Sequence, residues 1–82
     1  YSEVDFESAI TDDAAMAALR ACKEHYTGIA RRGIEAIELK LQGYDSSEIA
    51  EIYGTTINNV NAWISRARSK LRNEPQLMES LT

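Results

Sequence analysis

GYDSSEIAEIYGTTINNVNAWISRARSKLR, residues 43–72, reads as two helices around a tight turn, the second offering a polar, partly basic face. Asp45 is placed to cap the first helix, and Glu48 three residues later reaches back to it, a capping box with Asp in place of Ser or Thr. Ile49, Ile52 and Tyr53 follow as apolar contacts, and Gly54 closes the helix because glycine enters the left-handed conformation without a Cβ penalty. Thr56 is the natural N-cap of the second helix, in which Ile57, Val60, Ile64, Ala67 and Leu71 recur on one face with Trp63 at its margin. The opposite side carries Asn58, Asn61, Ala62, Ser65, Arg66, Ser69 and Arg72. Ala50, Gly54 and Val60 stand where a helix-turn-helix needs a small residue for close approach, a permissive turn and an apolar anchor. Such a motif places its second helix in the DNA major groove.

Gly43-Tyr44-Asp45, Glu48-Ile49-Ala50, Tyr53-Gly54-Thr55-Thr56, Val60 and Ser65-Arg66-Ala67-Arg68-Ser69-Lys70-Leu71-Arg72 resemble the C-terminal region 4 of bacterial RNA polymerase sigma factors, particularly the alternative and extracytoplasmic-function types. The resemblance is clearest over residues 43–72. It implies a domain that reads the minus-35 promoter element in double-stranded DNA and docks on the β-subunit flap of the RNA polymerase core. An anti-sigma factor is a further partner it allows. Many extracytoplasmic-type members carry basic residues where this chain has Asn61 and Trp63.

Within the second helix, Asn58 and Asn61 are the expected base readers, since a carboxamide pairs bidentately with adenine, and Ser65 is a third. Thr55, Thr56, Arg66, Arg68 and Arg72 are expected to hold phosphates, setting register without reading sequence. Two other functions fit the motif. One is a free-standing helix-turn-helix regulator, against which the block from Ser65 to Arg72 weighs; the other is a protein-interaction module that keeps the motif as scaffold.

At 82 residues and 44% hydrophobic, with a single Pro, the chain has material for one all-α bundle of about four helices. Residues 1–10 lack periodicity and are expected as a linker or frayed N-terminus, with Val4, Phe6 and Ile10 able to tack onto the core. Thr11 is expected to cap a helix whose first turn carries Asp12 and Asp13, and Ala15, Leu19, Cys22 and Tyr26 then face inward. After a break near Thr27-Gly28, Ala30, Ile34, Ile37 and Leu41 form an apolar stripe. Ile29, Ala36 and Leu39 lie roughly opposite, so this helix is either wrapped by neighbours or shows an apolar surface to a partner. The domain therefore runs over 11–72, with the helix-turn-helix at 45–72. Residues 73–82, NEPQLMESLT, are expected as a polar, mobile tail because Pro75 interrupts the helix, with a short docking turn of Leu77, Met78 and Leu81 as the alternative.

A net charge of −4 opposes binding to a phosphate backbone. Its distribution favours binding at one end. Residues 1–26 hold six acidic and two basic side chains, residues 27–54 five and three, and residues 55–82 two and four, so positive charge gathers in Arg66, Arg68, Lys70 and Arg72.

No enzyme, cofactor or metal is expected. Cys22 and His25 share a helix face at i and i+3, but two ligands do not complete a zinc site. There is no Gly-rich phosphate loop, and Glu35 and Glu38 read as a solvated helix face. The lone Cys22 suits a reducing cytosol, no apolar run approaches the ~20 residues of a membrane span, and no signal peptide is visible, so a cytoplasmic protein is expected. The start at Tyr1, not Met, reads as a fragment or a processed chain.

Overall fold

The computed structural model describes Ile10 and residues 13–80, and every regular element among them is an α-helix. In chain order these are α1 (Asp13–Lys23), α2 (Gly28–Leu41), α3 (Ser46–Tyr53), α4 (Ile57–Leu71) and α5 (Pro75–Ser80). The expected roles of Val4, Phe6, Thr11, Asp12 and Leu81 lie outside the described residues. Ile10 is buried against the core, and Asp13 opens α1 where a carboxylate complements the helix dipole.

α2 is the centre of the bundle and packs most extensively on α4. Ile34 and Ile37 from the expected stripe are buried, but so is Ala36 from the opposite side, with Leu39 partly covered. The helix is therefore wrapped by neighbours, with Ile29 left 52% exposed. The approach of α2 to α4 depends on Gly33: a Cβ there would lie 2.3 Å from the Trp63 carbonyl oxygen and 2.9 Å from Ala67 Cβ. Helices this close need a residue without a side chain at the crossing.

The polar tail expected after Arg72 is instead a fifth helix. Pro75 opens it, because a missing N–H costs nothing at the first helical position and the proline φ is already helical. Leu77 is fully buried as α5 packs against α1, so the docking turn is the form adopted. Glu74, just ahead of Pro75, accepts a hydrogen bond from the Tyr26 hydroxyl, joining the α1–α2 turn to the α4–α5 turn.

Two tyrosines carry raised pKa values. Tyr26 is pushed up to about 12, chiefly by its hydrogen bond to Glu74 and then by burial. Tyr53 also rises to about 12, chiefly through burial and then through its bond to Glu35. A neutral phenol contributes its full stabilisation below the ordinary tyrosine value of about 10 and loses it as pH climbs through the folded value. Stability is thus expected to fall between pH 10 and about 12, followed by circular dichroism during urea unfolding. Tyr26→Phe, which lacks the Glu74 bond, should be less stable at neutral pH and lose less over that window.

Candidate nucleic-acid interface

α3, the turn at residues 54–56 and α4 form a helix-turn-helix whose local chemistry matches the sequence reading at both ends of α3. Asp45 accepts from the Glu48 N–H at 2.8 Å, while Glu48 Oε1 accepts from the Asp45 N–H at 3.1 Å. At the other end Gly54 takes φ 65° and ψ 41°, Gly54 N–H donates to Glu51 O, and Thr55 N–H donates to Ala50 O. That is a Schellman closure, which satisfies carbonyls an eight-residue helix would otherwise leave open. Thr56 then caps α4, its hydroxyl accepting from Asn59 N–H at 3.1 Å.

Several side chains differ from expectation. Trp63, expected at the margin, is only 8% exposed and belongs to the core. Its ring meets Tyr53 edge-on at 5.7 Å, and the Arg32 guanidinium lies 5.2 Å from its centroid. Ile57, expected on the buried face, is 46% exposed, because it begins α4 and helical periodicity does not tell where a neighbour's cover ends. Ile52 is 56% exposed: Ile49, Ala50 and Tyr53 set the inward side of α3, and Ile52 is rotated about 100° from it.

Asn58, Asn61 and Ser65 are all exposed on α4, and the helix rise puts about 10 Å between the first and the last, roughly three base-pair steps. The same side carries Ala62 and Ser69, small enough to let a groove wall approach. Thr55 and Thr56 sit at the α4 N-terminus, where unpaired N–H groups and the helix dipole favour an anion. Thr55 is half-buried and its oxygen accepts from Asn59 Nδ2 at 2.9 Å.

The basic residues are not equivalent. Arg66 is exposed, and Arg68 is half-buried. Arg72 turns inward, its Nε and Nη2 covered and without a hydrogen-bond partner among the described residues, so its expected place on the open polar face is only partly realised. Lys70 Nζ leans over the Tyr26 ring at 6.0 Å.

Sequence reasoning overlooked three contributors. Asn59 braces the turn through Thr55 and Thr56. Arg32 covers the aromatic pair of Tyr53 and Trp63. Ser46 bonds Asn61 across the motif. Asn59 had a local signal, standing three residues after the Thr56 cap; the other two had none, since their partners are distant in sequence.

Beside the motif, Lys23, Glu35, Glu38, Leu39, Gln42 and Tyr53 line a shallow cleft. Its carboxylates are engaged, Glu38 by Lys23 at 2.8 Å and Glu35 by the Tyr53 hydroxyl at 3.1 Å. Cys22 is buried and its thiol pKa is raised by that burial and by Glu74, whereas His25 is exposed, so the two do not converge. Among the described residues no helix is long and apolar enough to cross a membrane.

Residues 35–71, from the middle of α2 to the end of α4, match the family model described as Sigma-70, region 4. No curated protein and no solved structure matches the chain.

Proposed function

From a chain whose residues 35–71 belong to the sigma-70 region 4 family of DNA-binding helix-turn-helix domains in transcription initiation, we propose a promoter-reading role in which α4 enters the major groove at the minus-35 element. The observation that carries this is the exposed row of Asn58, Asn61 and Ser65, followed by Arg66, on a helix held at a fixed angle by a doubly capped α3 and a capped turn. Asn58, Asn61 and Ser65 read base edges. Thr55 and Thr56 at the helix start, with Arg66, Arg68 and the outer part of Arg72, hold phosphates. The family is one of DNA binding, not of catalysis.

Docking on the RNA polymerase core, at the β-subunit flap, belongs to the same proposal. A net charge of −4 leaves a free reading head weak, and tethering raises its effective concentration at the promoter. The chain then works in the bacterial cytoplasm. An alternative or extracytoplasmic-function type, with an anti-sigma factor as regulator, is supported by the resemblance over residues 43–72.

Titrating labelled duplex with the chain over a range of salt concentrations tests the reading. Asn61→Ala is expected to cost about 1–3 kcal/mol on the preferred sequence and relax preference at one base pair. Arg66→Ala is expected to weaken binding on every sequence alike and to reduce the salt slope by about 0.9. Sub-nanomolar affinity at physiological salt would instead identify an autonomous regulator, and equal loss on all sequences for Asn61→Ala would remove Asn61 from the base readers.

A further inference from the structure

Ser46 opens α3 and Asn61 lies in the second turn of α4, 15 residues apart, yet the Ser46 hydroxyl donates to Asn61 Oδ1 at 2.9 Å. Both belong to the face that the proposed function turns towards DNA, and Asn61 is exposed. A carboxamide has two N–H donors and two lone pairs on its oxygen. Ser46 occupies one lone pair, so Asn61 keeps two donors and a single lone pair for a partner. That set suits a purine edge, where N7 accepts and adenine N6 donates beside it; cytosine offers only its N4 donor. A carboxamide already held in place also loses less side-chain freedom on binding than one that rotates.

We propose that Ser46 is a positioning residue that fixes the Asn61 carboxamide for reading a purine, adenine ahead of guanine. The inference rests on the proposed DNA-reading role of α4. Ser46 is not the cap of α3, since Asp45 fills that position, so replacing its hydroxyl leaves the helix capped.

The 82-residue chain is first used at low salt to enrich duplexes from a randomised pool. The base pair at which Asn61→Ala relaxes preference is then varied through all four pairs and through 7-deazaadenine, which lacks the N7 acceptor. The unaltered chain is expected to favour adenine there by about fivefold or more and to lose that advantage on 7-deazaadenine. Ser46→Ala should narrow the preference while leaving binding to unrelated duplex unchanged, and Ser46→Thr, which keeps the hydroxyl, should restore it. Ser46→Asp, an acceptor only, should draw the Asn61 Nδ2 inward, turn Oδ1 outward and move the preference towards cytosine. Ser46→Ala with the original preference intact overturns the positioning role alone, provided Asn61→Ala relaxes it. If Asn61→Ala relaxes preference nowhere, the reading of α4 fails and the positioning role with it.

Discussion

Trp63→Ala is expected to lower the unfolding free energy by about 3–5 kcal/mol, a large part of the whole for a domain of this size. The ring is 8% exposed, packed edge-on against Tyr53 and covered by Arg32, so truncation opens a cavity and removes an aromatic pair together with a cation–π contact. A tryptophan at the margin of α4 would behave otherwise, costing under about 0.5 kcal/mol as surface positions do. Urea unfolding separates these outcomes, and a cost below about 1 kcal/mol would place the side chain outside the core. Trp63→Phe, which keeps a ring against Tyr53, should recover part of the loss. The effect on DNA binding should follow the fraction folded, because Trp63 holds α4 from behind and does not itself face the groove.

Gly33→Val is expected to cost about 3 kcal/mol or more, at the upper end of what overpacking does. Two effects compete at this position. Removing glycine from a helix interior gains up to about 1 kcal/mol through the unfolded chain. Against that, an added Cβ meets the Trp63 carbonyl oxygen at 2.3 Å and the Trp63 carbonyl carbon at 3.0 Å, both backbone atoms that cannot swing aside. The clash decides the sign, so Gly33→Ala should also destabilise, by less. Pairing either variant with Ala67→Gly relieves the 2.9 Å contact with Ala67 Cβ but not the one with the Trp63 carbonyl, and should give only partial recovery. Thermal unfolding of the single and double variants checks this; a Gly33→Ala protein more stable than the parent would mean that α2 and α4 do not approach so closely.

These two residues also show how far the sequence could be read. Trp63 lies on the correct helix and near the correct face, but which flank of α4 is covered depends on where α2 crosses it. That crossing is set by Gly33, whose one signal is the absence of a side chain. Arg72 is similar: its position on the helical wheel placed it among phosphate holders, while the packed chain draws two of its guanidinium nitrogens inside. Pro75 does lie beyond the end of α4, as its sequence implies, but it also opens α5. A proline can stop the helix before it and start one after it, and the second was decided by whether α1 offered Leu77 a place to be buried.

By itself, the sequence determined the features whose causes are local to one helix or one turn. The Asp45–Glu48 box, the left-handed Gly54, the Thr56 cap and the polar face of α4 all follow from hydrogen bonds and side-chain periodicity within one or two turns. With them came the helix-turn-helix and the resemblance to the family whose model residues 35–71 match. Only the tertiary structure decided the insertion of Trp63 into the core, the close α2–α4 crossing, the docking of α5 on α1 and the bond from Ser46 to Asn61. Each of these joins groups far apart along the chain, and it is the packing of whole helices, not the preference of any short segment, that brings such groups within reach.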